Sequence, residues 1–145
     1  MDFISPSEII FYTIESTIKA YRKTSQKNLS SVVKDMTIDQ GLILAYLDKY
    51  PDKTQKEIAA LAFKDNASMT RMLDLMEKKA YIKRSINPTN RRRFKIEITP
   101  KGQQVLKTLV PVIKTNRNNA LQGISEEEVT QLETILLKIK SNCTT

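Results

Sequence analysis

No histidine occurs among the 145 residues, so neither a histidine-based catalytic triad nor the common imidazole metal site is available. One cysteine, Cys143, cannot form an internal disulfide, which fits a reducing compartment. Near the C-terminal end and with no activating neighbour in sequence, it is a poor candidate for an oxidant sensor. Three glycines are too few for a glycine-rich phosphate loop, and their scarcity leans the chain towards helix. No apolar run reaches the roughly 18 residues of a membrane span. The start, "MDFISPSEIIFY", lacks the basic region and cleavage site of a secretion signal. Glu126, Glu127 and Glu128 cluster, but a helix start explains them. These absences predict a soluble, cytoplasmic protein that is not an enzyme and needs no cofactor or metal. The length suits one domain, residues 1–145, with room for its own core.

What the chain has in excess is positive charge, and it is concentrated. The net charge is +8, and twelve Lys/Arg against four Asp/Glu between Lys53 and Lys95 account for all of it. A basic stretch between neutral flanks is an electrostatic footprint for a polyanion. The competing reading is a solvated face whose lysines keep the protein soluble.

Helix-start signals recur. Ser5-Pro6 with Glu8 predicts a first helix to about Leu29, its stripe formed by Ile10, Ile14, Ile18 and Tyr21. Thr37 to Gln40 opens a second, with Leu42, Ile43, Tyr46 and Leu47 inward, which stops before Pro51. Thr54 to Glu57 opens a short third with Ile58, Leu61 and Ala62 inside. Asp65 or Asn66 caps a fourth, running through Lys79, with Met69, Met72, Leu73 and Met76 on one face. That methionine row reads as core more readily than as a ligand-sensing stripe. Two short helices with a tight connection fit a helix-turn-helix. "YIKRSI" and "RFKIEI" then read as strands, with Phe94, Ile96 and Ile98 alternating against Arg93, Lys95 and Glu97. A helix-turn-helix followed by a basic-tipped hairpin is the order of a winged helix. Thr99-Pro100 starts a fifth helix with Val105, Leu106, Leu109, Val110 and Ile113 on its apolar side, which Pro111 should kink or break. Ser125 starts the last, striped by Val129, Leu132, Leu136 and Ile139. The expected fold is mostly α with a small β-hairpin wing. A winged-helix lobe at 37–99 is flanked by terminal helices at 5–33 and 100–142. Their stripes need burial: a second copy of the chain around a two-fold axis supplies it, and folding back within the monomer is the alternative.

The passage "SMTRMLDLMEKKAYIKR" (68–84) is followed by a wing of the form D-x-x-D-R-R, here Asn87-Pro88-Thr89-Asn90-Arg91-Arg92. An L-T-x-x-G pattern comes next, here Ile98-Thr99-Pro100-Lys101-Gly102. Together they resemble the DNA-binding core of the MarR family of bacterial transcriptional regulators. The resemblance covers about a third of the chain closely. It implies a homodimer that reads a palindromic operator, usually represses, and often releases DNA when a small ligand or oxidant arrives. Three departures from the family pattern fall at four positions. Both wing aspartates are asparagine, which leaves the wing arginine less firmly oriented. Ala80 replaces the glycine that usually ends the recognition helix, so that helix is expected to end differently. Leu75 stands where a polar or basic residue is common.

On the fourth helix, Ser68 and Thr70 can bond phosphates or bases, and Arg71 can make the two-pronged contact to guanine, unless it pairs with Asp74 along its own helix. Arg91, Arg92 and Arg93 at a hairpin tip can enter a minor groove, Arg93 alternatively reaching phosphate. Lys64, Lys83, Arg84 and Lys95 read as phosphate contacts. Backbone amides at Thr54 to Lys56 could hold another phosphate. An effector pocket between the lobe and the terminal helices is implied by the resemblance. Phe11, Tyr12, Tyr46 and Phe63 are candidate linings for it and equally good core. The functional expectation is a DNA-binding regulator; the rival is a winged-helix adaptor whose basic face docks an acidic protein.

Overall fold

The computed structural model describes residues 4–90 and 94–144. Side-chain caps begin five of the six α-helices among them. Thr37 starts α2 (Ile38–Lys49), Thr54 starts α3 (Gln55–Leu61) and Ser125 starts α6 (Glu126–Cys143), each with a reciprocal capping box. Asp65 accepts from the Ser68 N–H to start α4 (Asn66–Lys78), and Thr99 from the Gly102 N–H to start α5 (Pro100–Ala120). A capping side chain satisfies one of the amides that the first helical turn leaves without a carbonyl, which is why these signals are readable locally.

The first helix departs from expectation. Pro6–Glu8 forms a 3-10 turn, Ile9 is extended, and α1 runs from Ile10 to Val32 without a side-chain cap. The Ser5 hydroxyl lies 2.9 Å from that of Ser7, and the Glu8 N–H bonds the Ser5 carbonyl instead. Pro111 does not break α5, which continues for nine residues past it. It sits on an exposed side, while Leu106 and Leu109 hold the opposite face in the core.

The core gathers around α2, which meets α1, α3, α5 and the second strand. Ile43 and Leu44 from α2 join Leu29, Met36, Ile58, Leu73 and Leu109 there. Met69 and Met76 are fully buried and Met72 packs against them, so the methionine row is core. Leu61, expected inside, is exposed; Ala59 takes the inner position beside Ile58.

The two strands, β1 (Ile82–Ile86) and β2 (Phe94–Ile98), pair antiparallel from Ile82↔Ile98 to Ile86↔Phe94. Alternation in β2 holds for Ile96 and Ile98, which are half-buried, but Phe94 is exposed at the far end of the hairpin, beyond reach of the core. On α6, Val129, Leu136 and Ile139 are half-buried and Leu132 is 56% exposed; no α6 residue is fully buried. Ile10 and Ile18 of α1 are equally open. The apolar sides of α1 and α6 therefore lack a complete covering within one chain.

Candidate nucleic-acid interface

Burial of Met69, Leu73 and Met76 fixes the rotation of α4 and turns Thr70, Arg71, Asp74 and Leu75 outward. The Arg71 guanidinium does not pair with Asp74; its Nη2 donates to the Ser68 hydroxyl at 3.1 Å. Asp65, the cap of this helix, has a carboxyl held below its usual range, first by the Ser68 backbone amide and also by the nearby Arg71 charge. Thr70 donates to the Asn66 carbonyl at 2.9 Å and accepts from Gln55 Nε2 at 3.1 Å. The same Gln55 amide reaches Asn66 Oδ1 at 3.4 Å. Gln55 thus ties the start of α3 to the exposed face of α4. Sequence reading assigned it no role of its own, because its partners lie 11 and 15 residues away.

α4 continues into the wing through a reversed turn. Ala80 takes the left-handed conformation at φ 60°, with its N–H on the Glu77 carbonyl and the Tyr81 N–H on that of Met76. That is the usual glycine-type helix end, so the expectation of a different one is corrected: alanine adopts the geometry at a strain of about 1 kcal/mol. At the other end of β1, Asn87 Oδ1 accepts from the Thr89 N–H at 2.9 Å, the Thr89 hydroxyl and the Asn90 N–H. The amide oxygen closes this turn as a carboxylate would, without the charge. Arg91, Arg92 and Arg93 follow in sequence and lie outside the described residues.

Between α4, the start of α3 and the wing lies an open groove of about 770 Å³. Lys53, Lys56, Thr70, Arg84 and Lys95 stand around it, with Thr54, Gln55 and Asn66. Elements 40 residues apart in sequence thereby present cations and hydrogen-bonding side chains to one concavity.

Partners modify several of the expected roles. Lys64 Nζ bonds Asp39 Oδ2 at 2.9 Å, and Arg22 of α1 bonds the other oxygen at 2.8 Å. Burial pushes the Asp39 carboxyl up, but the hydrogen bonds and charges of Arg22 and Lys64 outweigh it, leaving it below the usual range. Lys64 is thus half of an ion pair between the α3–α4 turn and α2. Lys95 bonds Glu97 at 2.8 Å along β2; the bond raises the lysine pKa and lowers the glutamate's. Lys83 is exposed on β1, opposite Glu97 in the ladder. Arg84 is held by Asp74 and Glu77; burial opposes its charge, and those two hydrogen bonds more than restore it.

The four residues expected around an effector do not meet. Phe11 and Tyr12 are exposed near the start of α1, and Tyr46 stacks on Tyr50 with ring centroids 6.4 Å apart. Phe63 is 95% exposed in the α3–α4 turn at φ 55°, so it is neither pocket nor core. A cavity of about 370 Å³ opens elsewhere, between α1, α2 and α5. Ile18, Leu29, Leu42 and Ile113 line it, together with Arg22, Lys114, Arg117 and Ser25, whose buried hydroxyl has no hydrogen-bond partner among the described residues. Among the described residues no three His, Cys, Asp or Glu side chains group to hold a metal, and no helix is long and apolar enough to cross a membrane.

Residues 36–94 match the MarR family. The fold is similar to that of the transcriptional regulator SlyA, with a TM-score of 0.80 and 27% identity, covering 92% of this chain and 93% of that one. It is also similar to a mutant MarR from E. coli complexed with operator DNA, at a TM-score of 0.83 and 22% identity over 94% and 99% of the two chains. PcaV from Streptomyces coelicolor, a transcriptional regulator in complex with its natural ligand, shares the fold at a TM-score of 0.79 and 14% identity, over 97% and 98%.

Proposed function

From a chain with the MarR family's winged-helix lobe over residues 36–94 and its fold along nearly the whole length, we propose a homodimeric, DNA-binding transcriptional repressor. Residues 37–99 form the DNA-binding lobe, and 5–33 with 100–142 form the dimerisation region. The observation that carries this reading is the groove itself: the exposed face of α4 and the cation-bearing wall of the wing flank one concavity. In it α4 lies in a major groove, with Arg71 on a guanine and Ser68 and Thr70 on bases or phosphates. Lys83 and Lys95 meet phosphates, with Lys64 reaching one from its ion pair; Arg91, Arg92 and Arg93 enter the flanking minor groove.

Open apolar sides on α1 and α6 favour a second copy as their cover, and a two-fold axis then sets the two recognition helices about 34 Å apart, as a palindromic operator requires. An effector fits this reading in the cavity between α1, α2 and α5, where cations and an unpartnered hydroxyl face apolar walls. A repressor of this kind acts in the cytoplasm and catalyses nothing.

The test is a mobility shift with a random duplex at low salt, followed by selection of bound genomic fragments. The proposal expects binding to the random duplex and enrichment of fragments sharing an inverted repeat. No shift of the duplex, together with capture of an acidic protein by the same face, would favour the adaptor reading.

A further inference from the structure

Asp74 and Glu77 stand one turn apart on α4, on the side that meets β1. Arg84 of β1 spans them: its Nε donates to Glu77 Oε2 at 2.6 Å, and its Nη2 donates to Asp74 Oδ1. The arginine side chain is 19% exposed, while the two carboxylates stay about half open. The outer side of α4 thus carries two anions that would repel a phosphate backbone, and the cation that offsets them comes from the wing. One positive charge against two negative ones leaves the trio net anionic, so it has no surplus to attract phosphate.

Geometry adds a second effect. A planar guanidinium held at two nitrogens by carboxylates on successive turns fixes β1 against α4 in both rotation and translation. A lysine, as a single point charge, would fix neither. Arg84 also stands in the wall of the groove beside Thr70 and Lys95, so any change in its seat alters the groove's width.

We propose that Arg84 is a positioning residue: it sets the wing against the recognition helix, screens Asp74 and Glu77 from DNA, and does not itself hold a phosphate. This rests on the DNA-binding reading above, and it reverses the role that the sequence alone suggested for this arginine.

The test measures affinity for a labelled mixed-sequence duplex by anisotropy over a series of salt concentrations. Thermal melting establishes that each variant is folded at the assay temperature. Arg84→Met is made in the parent and in an Asp74→Asn/Glu77→Gln background, and Arg84→Lys in the parent. The expected result is a loss of about tenfold for Arg84→Met in the parent, since two carboxylates are then unmasked at the interface. Arg84→Lys, with charge but no fork, recovers part of that loss. In the doubly neutralised background the same Arg84→Met change should cost under about twofold and leave the salt dependence unchanged.

Equal losses in both backgrounds, with the salt slope falling by about 0.9 per phosphate contact removed, would make Arg84 a phosphate ligand and overturn the proposal. Parent-like affinity of folded Arg84→Met would reduce it to a stabilising ion pair and overturn the proposal as well. A parent protein that binds no duplex at all would instead remove the DNA-binding reading on which the inference stands.

Discussion

Ala80 holds φ at 60°, where a Cβ crowds the following carbonyl and glycine is free of the penalty. Ala80→Gly should therefore stabilise the protein by about 1 kcal/mol, read as a higher melting temperature; an unchanged or lower value would mean that the turn carries no strain. Asp39 gives a pH-dependent counterpart. Its folded pKa is depressed, so its contribution is present above the unfolded value and is lost as pH falls through the lower folded value. Urea unfolding of the parent and of Asp39→Asn should differ at neutral pH, begin to draw together below about pH 4, and converge only once the pH is below the depressed folded value. A gap that persists in acid would assign the loss to packing. Residue types and their count along the chain were legible in the sequence; their partners were not. Lys64 finds Asp39 25 positions away and Arg84 finds Asp74 ten positions away, so charge counting overestimates the cations free to meet a polyanion. Phe63 shows the reverse error, for an aromatic side chain alone does not imply a cover.

Capping signals act within four residues, so the starts of α2 to α6 were legible as sequence. The start of α1 was not, because Ser5 and Glu8 close a 3-10 turn and Ile9 then extends the chain. Pro111 shows that a helix tolerates one missing donor on its exposed side when its other face is well buried. The joint between β2 and α5 depends on a close approach that only glycine permits. A Cβ on Gly102 would lie 2.1 Å from the Tyr81 carbonyl oxygen, the same oxygen that accepts from the Thr99 N–H at 3.0 Å. Gly102→Ala should cost about 2 kcal/mol or more in chemical unfolding and loosen the wing's attachment. A loss under about 0.5 kcal/mol would show that the joint relaxes freely. This explains in physical terms why a glycine follows the Ile98-Thr99 strand end at that spacing. The hairpin was readable from its alternation, whereas the exposure of Phe94 and Ile86 depends on how far the wing projects from the core.

At the scale of the molecule, one chain leaves apolar surface on α1 and α6 that a dimer would cover. Leu132→Glu should then shift sedimentation from dimer to monomer at micromolar concentration while the winged lobe keeps its melting transition. A dimeric variant, or a monomeric parent, would refute that arrangement. The sequence indicated that the terminal helices need a cover, since their stripes exceed what the central lobe can bury. It could not indicate the α1–α2–α5 cavity, whose walls come from three separate stretches of chain. If cations of the middle segment meet DNA as proposed, Arg71 and Arg92 are foremost among them. The most direct measurement is the affinity of the parent and of Arg71→Ala/Arg92→Ala for duplex DNA between about 50 and 200 mM salt. The account predicts a steep loss with salt for the parent, with weaker binding and a shallower slope for the double variant. Equal affinity and equal slope for the two proteins would contradict it.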